Sequence, residues 1–535
     1  MQSSAGAFHQ QKRSTRSSLR SLLASTAWAG FFGLAGNAFC EAAATNSDAD
    51  PAVAMMLEKG MITEDEASKV QAQIDARRTN QLARFPETKW KMSDAIKSIE
   101  VFGDLRLRYE GRSATDPSGG HIDLNRMRYA VRLGLRGDLF DDFYWGFRME
   151  TSANPRSSFT TFGNNATGPF GKSTAGLNVG QLYLGWRPED WVEVTVGKMP
   201  NPLYTTSLVW SPSLNPEGAA EHFKYTVGQA DFFAIFGQFL YQDTNPNSTS
   251  SGYFNALNVN SANLPFLLAW QGGVNFHLTK KVSFKVAPVI YTYLQVGSHG
   301  PATSYSPDYA GTYVGQGQPQ GQNANAYYNL LAPGQTGGYD LFAANQTGIN
   351  NLLVLEMPFE VNVKLKNIDL RLFGDYAQNL DGGARANAAY HVANTYFTTS
   401  GSGYPLFGIA TPQTHDNVAY QVGLAVGSTD GLGLVNGTTA KRHAWEFRTY
   451  WQHIEQYALD PNLIDTDFFE GVENMEGIYF AAAYGFTGNL IGTVRYGRAS
   501  RINSKLGTGG SGQDIPQMNP IDHFDLFQAD LTFKF

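Results

Sequence analysis

Arginine recurs at every second position early in this chain. Arg106 and Arg108 are followed by Arg126 and Arg128, then by Arg132 and Arg136, and then by Arg148 next to Glu150. Guanidiniums repeated on one face make a basic wall, and rings of Arg or Lys lining a pore favour anions. The same faces carry Glu100, Asp104, Glu110 and Glu150. Cross-strand salt bridges that merely line a hydrated interior are therefore the competing reading. A second constellation runs from Pro200 through Asn201, Pro202, Trp210 and Pro216 to Glu217 and Gly218. Four prolines around one Trp, with a single charge, give a segment stiff enough to hold a shape. It is expected to be either a constriction folded into a lumen or a rigid external loop, with Pro216, Glu217 and Gly218 as its return bend. A third feature is acidic. Residues 449–494 contain no Lys or Arg, while Glu455, Asp460, Asp465, Asp467, Glu470, Glu473 and Glu476 cluster there. Such a cluster can bridge surface lipid phosphates through divalent cations. Its spacing lacks the order of a dedicated calcium loop, so a solvated external loop is expected and no metal site.

Catalytic signatures are missing. The sequence has no HExxH, no GxSxG, no P-loop and no dinucleotide fingerprint, and its 10 His do not cluster. No enzyme activity and no cofactor are expected. His443 and His453, ten apart, suit lining or interfacial positions. One Cys excludes a disulfide framework, a Cys-based zinc site and a CxxCH haem attachment. A net charge of −7 with no basic run outside the N-terminus argues against nucleic acid.

The elements that position these residues have a period of two. Ile99, Val101, Gly103, Leu105, Leu107 and Tyr109 alternate with Glu100, Phe102, Asp104, Arg106, Arg108 and Glu110. Met127, Tyr129, Val131, Leu133 and Leu135 alternate with the next arginines, and Trp145, Phe147 and Met149 with Gly146, Arg148 and Glu150. Long strands with one greasy and one charged face suit a barrel whose outside meets lipid and whose inside meets water. Composition agrees, with 56 Gly, 26 Tyr, 35 Phe and only 16% charged residues in 535. The fold class read from this is all-β, a transmembrane antiparallel β-barrel.

Sixteen strands can be counted, near 99–110, 125–137, 142–151, 177–187, 190–199, 221–228, 230–241, 265–278, 281–294, 351–366, 368–378, 416–428, 441–456, 474–486, 489–500 and 521–535. Counts of 14 to 18 fit the pattern nearly as well. Short connections alternate with long Gly/Ser/Asn/Gln-rich ones such as 153–176, 243–264, 296–350 and 380–415, as periplasmic turns alternate with external loops in membrane barrels. The connection at 429–440 is the longest exception on the short side. An even count returns both termini to the periplasm.

Upstream of the barrel, Lys12, Arg13, Arg16 and Arg20 precede a stretch without charge from Ser21 to Cys40, the layout of a secretory signal. Cleavage after Ala38 or Ala42 is expected, which gives a signal at 1–42, a periplasmic helical segment at 43–97 and an outer-membrane barrel at 98–535. Within 43–97, Ala52–Lys59 has helical spacing, and Thr63 followed by Glu66 forms a capping box that opens a second helix. This is a short helical hairpin, with Met55, Met56, Ile62, Val70 and Ile74 too few for an independent core.

At the other end Phe527, Ala529, Leu531, Phe533 and Phe535 share a face and finish on a terminal aromatic. Leu531, Phe533 and Phe535 resemble the signal read by the bacterial barrel-assembly machinery. The body from about Ile99 resembles the putative-porin family of Gram-negative outer membranes. KMPNPLYTTSLVWSPSLNPEGA at 198–219, WQHIEQYALDPNLIDTDFF at 451–469 and the terminal FQADLTFKF carry that resemblance. EKGMITEDEA is similar to the helical element that precedes phosphate-type porin barrels.

The resemblance implies a porin located in the outer membrane. Such a protein is a water-filled channel for passive diffusion of small hydrophilic solutes, embedded among outer-membrane lipid and lipopolysaccharide and expected as a homotrimer. The basic wall adds the expectation of anion preference, and the proline segment is the third external loop, where porins narrow. Two alternatives stay open: a sheath or docking collar for another exported protein such as an electron-transfer cytochrome, and a surface adhesin or receptor barrel.

Overall fold

The computed structural model describes residues 95–117, 119–152, 157–163, 176–241, 266–294, 352–386, 416–504, 506, 508 and 521–535, together with residues 56, 59, 61, 63, 66–70 and 72–73. The expected leader at 1–42 and the long connection at 296–350 lie outside them. The chain divides into two units, Met1–Ile96 and Lys97–Phe535. In the first, Thr63 and Glu66 make the reciprocal capping bonds: the Thr63 N–H donates to Glu66 Oε2 at 2.9 Å and the Glu66 N–H to Thr63 Oγ1 at 3.4 Å.

The second unit is a single sheet of nineteen extended segments closed on itself. These are β1 (Glu100–Thr115), β2 (His121–Asp138), β3 (Phe143–Ser152), β4 (Thr160–Thr161), β5 (Gly176–Glu189), β6 (Val192–Lys198), β7 (Glu217–Val227), β8 (Ala230–Leu240), β9 (Phe266–Thr279), β10 (Val282–Val286), β11 (Val289–Leu294), β12 (Leu353–Glu356), β13 (Phe359–Lys364), β14 (Ile368–Asn379), β15 (Val418–Ser428), β16 (Trp445–Ile454), β17 (Met475–Gly485), β18 (Leu490–Arg501) and β19 (His523–Lys534). They make a 16-strand antiparallel barrel. β10 and β11 are one strand, interrupted at Ala287 and Pro288 and paired along its length with β9. β12 and β13 are the next, interrupted at Met357 and Pro358 and paired with β14. Proline has no N–H to give the ladder, and here the two breaks stand side by side, with the Ala287 N–H donating to the Pro358 carbonyl at 3.1 Å. β4 is a stub on β2. The first strand closes on the last, from Asp104↔Lys534 to Thr115↔His523, so no edge is left unpaired.

The faces are those of a membrane barrel rather than a soluble sheet. On β1, Val101, Leu105, Leu107 and Tyr109 are 58%, 42%, 40% and 41% exposed, whereas Asp104, Arg108, Glu110 and Arg112 are 7%, 3%, 0% and 2%. Greasy outside and charged inside is stable only where the outside meets lipid. Leu531, Phe533 and Phe535 continue the outer face. The backbones of Phe535 and Gly103 exchange hydrogen bonds at 2.9 and 3.1 Å, and the Phe535 ring covers Gly103. A Cβ on Gly103 would stand 2.3 Å from the Arg132 carbonyl oxygen, so this seam needs a glycine.

Candidate functional site

Among the described residues, two connections from the same end of the barrel fold into its interior. The proline loop, 199–216, leaves β6 and returns at β7 through paired glycines, Gly197 opposite Gly218, with φ of +121° and +149°. A Cβ at either would come within 2.3 Å of a neighbouring carbonyl oxygen. Only glycine lets both arms bend inward at this point. The Met199 N–H donates to the Pro216 carbonyl at 2.9 Å and closes the loop's neck. Leu203, Leu208, Val209 and Trp210 are buried. Trp210 lies against Phe239 of β8 and Tyr291 of β11, with ring centroids 6.0 and 6.3 Å away. Polar contacts pin the loop to the wall beyond β8. The Tyr204 N–H donates to Gln271 Oε1 at 2.8 Å, and Gln271 Nε2 donates back to the Tyr204 carbonyl at 2.7 Å. The Thr205 hydroxyl donates to Glu356 at 2.5 Å and that of Thr206 to Asp375 at 2.6 Å.

The expected return bend is divided by the fold. Pro216 is the last loop residue, whereas Glu217 and Gly218 belong to β7. Glu217 pairs with Lys198 at 2.5 Å, in an exposed pair at the foot of the loop. Pro200 is exposed at the near end of the loop, with Asn201 and Pro202 half-buried behind it. Asn201 Oδ1 accepts from the Leu203 N–H at 3.0 Å.

The second inward connection corrects an expectation. The acidic segment 455–474, between β16 and β17, is not a solvated loop. Asp460, Glu470 and Glu473 are 4%, 0% and 0% exposed. Leu459, Ile464, Phe468, Phe469 and Val472 carry the segment into the same buried cluster as the proline loop. The loops meet where the Ser211 N–H donates to the Leu463 carbonyl at 2.6 Å. Asp460 accepts from the hydroxyls of Tyr241 and Tyr293 at 2.8 and 2.7 Å. Burial pushes the carboxyls of Asp460 and Glu473 above the usual range. Burial acts on Asp467 too, but the guanidiniums of Arg108 and Arg112 outweigh it and hold its carboxyl below that range. Glu476 and Glu455 instead flank His453 at the strand tops, at 2.9 and 3.7 Å. His443 Nδ1 lies 2.9 Å from the Tyr484 hydroxyl on the exposed side.

The arginines of the first three strands point inward, and each has a carboxylate. Arg136 pairs with Glu100 at 2.7 Å, Arg132 and Arg106 with Asp104 at 2.8 Å each, and Arg148 with Glu150 at 3.2 Å. Glu110 is shared by Arg126, Arg128, Arg112 and Arg108 at 2.5, 3.4, 3.1 and 3.6 Å. Arg108 also meets Asp530 at 2.7 Å and Asp467 at 3.2 Å, and Arg495 shares Asp530. Arg112 reaches Glu470 at 2.5 Å, so the acidic loop is bolted to the basic wall. Arg112 and Arg495 escaped the sequence reading. Arg112 continues the alternation two residues beyond the expected end at 110, and the strand runs to Thr115. No local signal marks the acidic segment's aim at this wall, because its partners are more than 350 residues away.

The other strands carry further charges. Glu193 serves both Arg187 and Lys224 at 3.5 and 3.8 Å, and Arg371 meets Glu360 at 3.5 Å. Lys285 lies over the Tyr204 ring at 3.5 Å. Among the described residues no cluster of His, Cys, Asp and Glu could hold a metal ion.

A family model described as "Putative porin" matches residues 63–535. The chain belongs to this porin family. It is an outer-membrane β-barrel of the kind that forms channels. No curated protein matches the sequence. Solved structures similar to the barrel include an anion-selective porin from Comamonas acidovorans (10% identity, TM-score 0.39, 82% of this chain and 99% of that one). OmpF of Salmonella typhi in complex with daunomycin is 9% identical at a TM-score of 0.40, covering 82% of this chain and 97% of that one. At those identities and scores neither says anything about the solute of this porin.

Proposed function

We propose that this porin passes small hydrophilic solutes by passive diffusion and prefers anions. The observation that supports the reading is the sharing of carboxylates in the lumen: Glu110 among four arginines, Asp104, Glu193 and Asp530 between two cations each. Where one carboxylate serves several guanidiniums the wall is locally basic, and a basic wall attracts anions into a narrow, low-dielectric passage. The proline loop and the acidic loop set the width at the outer end. Residues 1–42 serve as the export signal and 43–97 as a periplasmic spacer, and catalysis has no part in the function.

The test is single-channel recording of the purified mature protein in a planar bilayer under a salt gradient. Stable open steps with a reversal potential of the sign for anions are expected. Arg106→Ala with Arg132→Ala strips Asp104 of both cations, so the reversal potential should move toward the cation side. An unchanged permeability ratio would refute the selectivity. A barrel that never conducts would instead favour a docking collar or an adhesin.

A further inference from the structure

At the short-turn end of the barrel one connection is long. Residues 429–444 join β15 to β16, whereas β7 and β8 are joined through Gly228 and Gln229 and β9 and β10 through Lys280 and Lys281. The long connection also turns inward. Leu434 and Val435 are 1% and 4% exposed and belong to one buried cluster with Ala481, Ala483 and Ile491.

The loop's backbone is gripped by charged side chains from the surrounding strands. Glu446 Oε2 accepts the N–H groups of Gly433 and Val435, each at 2.9 Å. Arg495 Nη2 donates to the Val435 carbonyl at 3.0 Å, Arg448 Nη1 donates to Asn436 Oδ1 at 2.9 Å, and the Lys534 ammonium donates to the Gly437 carbonyl. A Cβ on Gly437 would stand 4.0 Å from Arg106 Nη2. The tip therefore runs from the β15/β16 junction past β17 and β18 to β19 and β1. Neighbouring strands lie ~4.8 Å apart, so that reach is roughly 19 Å of wall. Gly433 and Gly437, with φ of +104° and +66°, fix the turn. A Cβ at Gly433 would meet Thr438 Oγ1 at 2.4 Å. Asn436 and Thr438 stay exposed at the tip.

We propose that this loop is a second constriction, on the periplasmic side. Asn436, Gly437 and Thr438 narrow the path there beside Arg106, Arg448 and Lys534, and solute anions contact those residues on leaving or entering. This rests on the channel reading. A mere strut would need the buried Leu434 and Val435. It would not need a polar tip held open among four cations. The proline and acidic loops and this loop then act as two filters in series from opposite ends.

The test is Asn436→Cys in a chain whose other cysteine, Cys40, is changed to Ser, recorded in a planar bilayer while 2-sulfonatoethyl methanethiosulfonate or its trimethylammonium analogue is added. Expected is a stepwise loss of conductance with either reagent. The anionic adduct should also weaken anion preference, and the cationic one should preserve it. Lys280→Cys, in an exposed turn, serves as the control and should not respond. Thr438→Cys repeats the test at the other exposed tip position if Asn436→Cys fails to assemble. Open channels that keep full conductance after complete modification at 436 or 438 would overturn the second constriction. Unmodified protein that never opens would overturn the channel reading instead.

Discussion

Replacing Arg112 by Met should release the acidic loop without opening the barrel. Arg112 is 2% exposed and holds Glu470 at 2.5 Å, Glu110 at 3.1 Å and Asp467 at 3.4 Å, while donating to the Thr466 carbonyl at 3.1 Å. Methionine fills similar space but leaves Glu470, itself fully buried, without that guanidinium. Breaking a buried ion pair from one side costs ~3–5 kcal/mol. The strand ladder does not bear this cost, because residue 112 keeps its backbone pairing with Leu124 and Leu526. Glu110 retains Arg108, Arg126 and Arg128. The strain is relieved if segment 455–474 lifts away and its carboxylates reach water. At about 1.4 kcal/mol per decade, the undocked population rises roughly a hundred- to a few-thousand-fold. The assay is single-channel conductance together with limited chymotrypsin digestion, since the segment offers Tyr457, Phe468 and Phe469 but no Lys or Arg. Expected are larger, noisier open steps and new cleavage inside 455–474. Adding Glu470→Met should restore quiet steps and protection, because a pair replaced from both sides leaves no stranded charge. Conductance and digestion identical to the parent would refute the idea that this cluster holds the loop.

The proline loop should respond more gently. Thr205→Val with Thr206→Val removes the hydroxyls that satisfy Glu356 and Asp375, at ~1–3 kcal/mol each. Trp210 and the Tyr204–Gln271 pair remain, so added open-channel noise without loss of the constriction is expected, whereas Trp210→Ala, at ~3–5 kcal/mol, should widen the pore. Docking of the acidic loop should also depend on pH. Glu473 sits above its unfolded pKa, so its contribution is full below that value and declines as pH rises toward the folded one. Asp467 is shifted the other way, so its contribution is lost only in acid. Relative to an unstructured reference peptide digested alongside, chymotrypsin cleavage of 455–474 should therefore be faster at pH 8 than at pH 5.5, and Glu473→Gln should flatten that difference.

Much of the fold was legible because a barrel wall obeys a local rule. Each strand needs one greasy and one polar face, so Val101 to Glu110 announce their orientation without reference to any other strand. The strand positions followed from the same rule, and the prolines that split two strands left the alternation on either side intact. The basic wall was legible for the same reason, and Arg112, two residues past Glu110 on the same face, could have extended it.

Tertiary structure alone decided what occupies the lumen. Nothing local tells Thr205 that it will meet Glu356, Asp467 that it will meet Arg108, or Gly437 that it will lie beside Arg106. These partners are brought together by closure of the cylinder, which sets strands distant in sequence face to face across a small cavity. A loop with buried leucines and phenylalanines can shed water only by entering that cavity. A carboxylate that enters with them keeps its charge where a guanidinium already waits, as Asp467 does beside Arg108, whereas burial pushes Asp460 and Glu473 toward the protonated form. Local alternation specified a lipid-facing wall with a charged interior, and packing within the closed ring specified which loops lie inside it.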